Sequence, residues 1–202
     1  MIDLSQHTPL RASRNYKIYQ HPTQDDALLK VRCDEPVRHH FLPRYGEWRY
    51  GNLRQWHREA SEYLAALNRG CPEIERLSRF MGYATTSEGP AIVVEKVTGP
   101  DGDLAPTARQ ELKGLKPGDP KFAAIGRELS DLFDDLERGK LIVGDFSLDN
   151  VVRAADRGGK FVIIDGLGER VLFPLAIFSG YAFRHSINRR RKRYLKRFQT
   201  VL

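Results

Sequence analysis

The sequence predicts an α+β fold, and three observations carry that prediction. The first half sets short apolar runs around one amphipathic helix, a second amphipathic helix opens the later half, and a short hairpin bearing acids and an amide follows it. At 202 residues with 41% hydrophobic content, the chain has enough material for one bilobal domain with a real core. The expected division is a β-rich N-terminal lobe at 1–97, an irregular linker excursion at 98–121, a reduced helical lobe at 122–183 and a basic terminal helix at 184–202.

Ile18 and Tyr19 read as a short strand and residues 27–33 (ALLKVRC) as another, with turn residues at 22–26 making the pair a hairpin. Residues 52–69 place Leu53, Trp56, Ala60, Tyr63, Leu64 and Leu67 at three- and four-residue spacings, with Asn52 as N-cap and Gly70 as the stop. Residues 74–83 are short and mixed in character. Residues 91–97 (AIVVEKV) then read as a buried strand ending in a hinge at Glu95 to Val97.

Four Gly and four Pro fall within 98–121, which marks the excursion. Phe122, Ile125, Leu129, Leu132, Phe133 and Leu136 trace one face of the next helix. Val151 and Val152, a turn at 156–159 and residues 161–164 form the hairpin. Residues from Leu172 onward look helical in at least two pieces.

The net charge of +7 is local. Eight Lys and Arg lie between Arg184 and Arg197 with no acid, leaving 25 basic against 26 acidic side chains elsewhere, a net of −1. Only Cys33 and Cys71 are present, without zinc spacing or a disulfide framework. The opening MIDLSQHTPLRASRNY holds polar residues where a secretion signal needs an apolar core, and VLFPLAIFSGYAF (171–183) is too short to span a bilayer. A cytoplasmic protein is expected, with peripheral placement at the inner face of the membrane as an extension of that expectation.

The chemistry gathers in LIVGDFSLDN (141–150). Asp145 and Asn150 have four residues between them, and the FVII run delivers Asp165. A lone pair of this kind shapes ordinary Asx turns. Three acceptors bracketed by β-type runs are also the parts of a phosphotransfer site, where one Asp orients a hydroxyl and an Asn and a second Asp hold Mg²⁺. Hard oxygen donors suit that ion. Such a site needs a strand Lys and a helix Glu, and the chain offers Lys30 inside ALLKVRC and Glu59 in REASEYL, with Glu62 three residues on as the other candidate.

The sequence resembles the protein-kinase-like superfamily and, more closely, the PhoP regulatory network protein YrbL family. The likeness runs through MIDLSQHTPL, YKIYQHP, the Lys30 strand, the 52–69 helix, LIVGDFSLDNVV and above all IDGLGERVLFPLAIFS. It implies a kinase-like bilobal fold binding ATP and Mg²⁺, with Asp145 as the catalytic-loop acid and Asn150 and Asp165 as metal ligands. It further implies Lys30 and Glu59 as the phosphate-anchoring pair and transfer of the γ-phosphoryl group to a substrate hydroxyl.

Departures from the kinase pattern define the alternative, a non-catalytic regulatory module. The nucleotide-covering stretch LRASRNY (10–16) has no Gly, leaving Arg11, Arg14 and Lys17 to meet phosphates with side-chain charge. Val143 stands where kinases carry a structural His, Asp165 is followed by Gly166 rather than an aromatic residue, and only 37 residues follow Asp165. The basic tail fits either a helix packed on the second lobe with Ile187, Tyr194, Leu195, Phe198 and Leu202 along one side, or a surface for anionic lipid or another acidic partner. Nucleic acid is disfavoured by the near-neutral body.

Overall fold

In the computed structural model, described over residues 1–13, 16–33, 49–168 and 180–198, the chain forms two compact units. The first comprises Met1–Ala60 and Ser78–Lys96, the second Ser61–Leu77 and Val97–Leu202. Arg14, residues 169–179, Leu202 and the side chain of Asn52 lie outside the described residues. The architecture is mixed α+β, an antiparallel sheet in the first unit and mainly helices in the second.

The sheet contains β1 (Arg11–Ala12), β2 (Tyr16–Gln20), β3 (Ala27–Arg32), β4 (Phe80–Thr86) and β5 (Gly89–Glu95) in the order β1-β2-β3-β5-β4, with every pairing antiparallel. Successive side chains in a strand alternate between faces. Ala27, Leu29 and Val31 therefore share one face, where they join Leu4, Tyr19, Ala91 and Val93 in a buried cluster. Strand β4 follows no aliphatic run and is an addition to the expected order. Its alternate residues Met81 and Tyr83 are exposed, the pattern of a strand half in solvent. A bulge between Phe80 and Gly82 shifts its register against β5. At the other end Ile2 bridges Thr86, donating to the Thr85 carbonyl at 2.8 Å and accepting from the Ser87 amide at 2.9 Å.

Helix α1 (Arg54–Asn68) ends where Gly70 adopts φ 58°. The Gly70 and Cys71 amides then donate back to the Leu67 and Ala66 carbonyls, a Schellman closure. The helix turns differently from the face its apolar spacing predicts. Leu64 and Leu67 are half exposed, whereas Glu59 and Glu62 are buried beside Trp56, Ala60, Tyr63 and Ala66. Hydrogen bonding decides this, because a buried carboxylate is tolerated only where donors meet it.

In the second unit, helix α2 (Ala108–Leu112) begins with a capping box in which Thr107 and Gln110 satisfy each other's backbone amides. The expected excursion is thus partly ordered, and Val97 and Ala105 pack with Val152, Ala154 and Val162. Helix α3 (Pro120–Arg138) starts with Pro at N1 and buries the six predicted apolar positions. Strands β6 (Val151–Ala154) and β7 (Lys160–Ile163) form the predicted hairpin. Residues 141–144 make an isolated bridge rather than a strand. Helix α4 (Gly180–Leu195) buries Phe183, Ile187 and Leu195, and Phe198 beyond it fills the space over Gly126, 4.5 Å from the Phe122 ring. No described helix is long and apolar enough to cross a membrane.

Arg76 ties this unit together from a 3₁₀ turn at Pro72–Arg76. The residue is 3% exposed, and its guanidinium donates to Glu128 at 2.6 Å, Asp135 at 2.7 Å and the Phe161 carbonyl at 3.1 Å. Removing one partner of such a buried group strands the others. Arg76→Met is expected to lower unfolding free energy by about 3 kcal/mol in urea titration. In the first unit, Glu88 accepts from Lys17 Nζ and Tyr19 Oη, each at 2.8 Å. The Lys17 ammonium first, then the Tyr19 hydroxyl, hold its carboxyl below the ordinary value. Its stabilising effect is full above the unfolded carboxylate pKa of about 4.3 and is lost as pH falls through the lower folded value. The stability gap between wild type and Glu88→Gln should therefore close on acidification, as read by thermal melts across pH.

Candidate functional site

Strand register places the candidate residues of the first unit. Arg11, Ile18, Lys30, Ile92 and Tyr83 form one row across the sheet, so their side chains share a face. That face is opposite the cluster around Leu29, and Lys30 is only 5% exposed on it. Helix α1 lies on the same side. Tyr83 Oη donates to the Trp56 carbonyl at 3.4 Å, and Gln55 Nε2 donates to Tyr16 Oη at 3.3 Å and to Glu59 Oε1 at 3.1 Å. Burial and then the charge of Glu59 push the Tyr83 phenol above its ordinary pKa. Glu59 is thus brought to the side of the sheet on which Lys30 lies.

The other nucleotide candidates separate by geometry. Arg11 is exposed but on the Lys30 face, whereas Lys17 lies on the opposite face, engaged with Glu88. Glu95 is buried at the end of β5, where Oε2 accepts from the Arg79 amide at 2.9 Å and Oε1 pairs with Arg79 Nε at 3.3 Å. Its carboxylate holds the Arg79 backbone and side chain just before β4. Val97 opens the second unit and accepts from the Ala105 amide at 3.0 Å.

The second unit assembles the acids. Val143 bridges Leu167 and Gly168, the Gly144 and Asp145 amides donate to the Gly166 carbonyl at 2.9 and 3.0 Å, and the Gly168 amide donates to Ile142 at 2.8 Å. The turn carrying Asp165 therefore lies flat on the segment carrying Asp145. Gly166 has φ 84°, and a Cβ there would sit 2.5 Å from the Asp145 carbonyl oxygen, so neither the conformation nor the space admits a side chain. Asn150 arrives through the hairpin, since Val151 pairs with Ile163 and the Ile164 amide donates to Asn150 at 2.9 Å. Its Nδ2 donates to the same Asp145 carbonyl at 3.2 Å, and Asp165 Oδ1 accepts from the Gly166 amide at 2.6 Å.

Three side chains outside this set hold the loop. Glu62 Oε1 accepts from the Ile142 amide at 3.0 Å. From α4, Tyr194 Oη donates to the Phe146 carbonyl at 2.6 Å and Arg190 reaches the Gly144 carbonyl at 3.5 Å. The peptide carbonyls on both sides of Asp145 are thus engaged by one helix. The Phe146 ring sits 4.6 Å from Phe133 and 4.8 Å from Tyr194.

Among the described residues no group of three or more His, Cys, Asp or Glu is gathered as a metal site. Two carboxylates and an amide are hard oxygen groups, the chemistry that suits magnesium. Asn150 spends its nitrogen on the Asp145 carbonyl, which turns its amide oxygen away from that bond as a hard acceptor.

The family model of the PhoP regulatory network protein YrbL matches residues 2–199. The chain belongs to this family. Every candidate residue from Arg11 to Asp165 falls within the span matched to YrbL. No curated protein matches the sequence. Among solved structures, the crystal structure of a Stt7 homolog from Micromonas algae soaked with ATP is similar at TM-score 0.48 and 14% identity, over 78% of this chain and 47% of that one. The chain therefore spans about half the length of that protein's chain.

Sequence reasoning left Glu62 as an alternative to Glu59, and the structure gives the two acids different partners. It did not find Arg190 or Tyr194, whose signal is buried in a run of like charges, nor the role of Gly166. Gly166→Ala is expected to cost at least about 2 kcal/mol of stability, from left-handed strain plus the displaced carbonyl. Hydrogen exchange at the 144–146 amides should rise in the same variant.

Proposed function

We propose that the chain is a kinase-like protein that binds ATP with Mg²⁺ and transfers the γ-phosphoryl group to a hydroxyl of its substrate. The observation that carries this reading is the joint placement of Asp145, Asn150 and Asp165 by the hairpin and the Gly166 turn. An Asx turn needs no such convergence of distant segments. The shared side of Lys30 and Glu59 in the first unit supports the same reading.

In this proposal Asn150 and Asp165 hold Mg²⁺, which when bound neutralises charge on the phosphates. Lys30 anchors the α- and β-phosphates and Glu59 fixes the Lys30 ammonium. Asp145 accepts the proton of the acceptor hydroxyl as the new oxygen–phosphorus bond forms and the bond to the leaving diphosphate breaks. The hydrogen bonds on both flanking carbonyls keep the Asp145 carboxylate aimed, which lowers the entropic part of the barrier. Arg11, on the Lys30 face, takes the phosphate-facing role that a glycine-rich loop would otherwise serve.

Calorimetric ATP binding and product-resolved turnover test the proposal. Wild type should bind ATP in a Mg²⁺-dependent way, and Asp165→Ala should weaken binding at least about tenfold. Asp145→Asn should keep binding and lose transfer by roughly two to four orders of magnitude. Absence of nucleotide binding by wild type, with or without Mg²⁺, would sink the reading. Binding with turnover no greater than that of Asp145→Asn across a broad hydroxyl panel would make the chain a regulatory module instead.

A further inference from the structure

Helix α4 has two faces with different duties. Its inner face is fixed to the second unit by Phe183, Ile187 and Leu195, with Phe198 just beyond, and by the Tyr194 and Arg190 contacts to the 144–146 loop. Arg191 on its flank is paired with Asp134. The outer face is a stripe at helical spacing made of Tyr181, Arg184, His185, Asn188, Arg189, Lys192, Arg193 and, past the helix end, Lys196, all exposed. Among the described residues none of its five Lys and Arg side chains pairs with a carboxylate, and no acid occurs in the helix. At 1.5 Å per residue the stripe runs roughly 22 Å.

We infer that this outer face is a docking surface for an anionic lipid bilayer. Cations spaced along a rigid helix attract a surface of phosphate headgroups, each contributing about fivefold to partitioning. Outside residues 184–197 the chain carries a net of −1, so attraction is concentrated on this helix and orients the protein. Tyr181, 82% exposed at the start of the stripe, is an amphipathic ring of the kind that settles at headgroup level. A duplex groove is a poorer match. Apart from Asn188 the stripe offers cations, and its Tyr181 and His185 rings stack on each other at its start, 6.4 Å apart, so little beyond charge is left to read bases. The inference stands independently of phosphoryl transfer. Its consequence for the site is that the docked helix is the one that grips the carbonyls flanking Asp145.

Sedimentation of the full chain with phosphatidylcholine vesicles, with and without phosphatidylglycerol, tests this at low and raised salt. Wild type should bind only the anionic vesicles, and binding should fall as salt rises. The combined variant Arg184→Gln, Arg189→Gln, Lys192→Gln, Arg193→Gln and Lys196→Gln should bind at least roughly a hundredfold more weakly. A control removing the same number of exposed charges, Lys113→Gln, Lys116→Gln, Lys121→Gln, Arg127→Gln and Lys140→Gln, should stay within about threefold of wild type. Should the stripe variant melt early, the pair Arg189→Gln and Arg193→Gln alone should still lose roughly tenfold or more. Absence of vesicle binding by wild type, equal loss in stripe and control variants, or duplex DNA binding as tight as vesicle binding at the same salt would each overturn the assignment.

Discussion

The candidate site depends on one close approach. Gly166 lies against the Asp145 carbonyl with no room for a Cβ, and that contact lets two segments twenty residues apart exchange backbone hydrogen bonds on both sides of it. The same carbonyl receives the Asn150 amide. A single peptide oxygen is therefore the reference point for all three acceptors, and each would drift if the turn lifted. Backbone contacts of this kind define position more tightly than long side chains can, which is what a site with exacting geometry requires.

Around that point the second unit spends buried polar groups on holding backbone in place. Glu62 takes the Ile142 amide, Tyr194 the Phe146 carbonyl, and Arg76 joins helix α3 to strand β7 through Glu128, Asp135 and the Phe161 carbonyl. Each pairing satisfies a group whose isolation would be costly. These groups fix where irregular segments pass, a task that apolar packing, being non-directional, performs poorly.

Much of this was legible in the sequence, and the exceptions share a cause. Helix α3 and the β6–β7 hairpin were readable because their buried faces are apolar at regular spacing. Lys30 and Glu59 could be singled out because a charge within an apolar strand and an acid within an amphipathic helix stand out from their surroundings. The buried face of α1 was misjudged at Leu64 and Leu67 because Glu62 and Glu59 meet donors that no periodicity reveals. Strand β4 was missed because half of it faces water and a bulge interrupts it. The α2 cap was missed because TARQ lies in a stretch dominated by Gly and Pro, although Thr107 and Gln110 carry the capping-box spacing.

Strand β4 has a further consequence. An edge strand offers unpaired amides and carbonyls to any second chain, the usual route to intermolecular sheet growth. Here the backbone of Ile2 occupies the Thr85–Ser87 end, and the bulge at Gly82 breaks the regular ladder towards the other. The stretch left between them is too short to template a long added strand, so the segment at residues 2–4 doubles as a guard against self-association of the sheet.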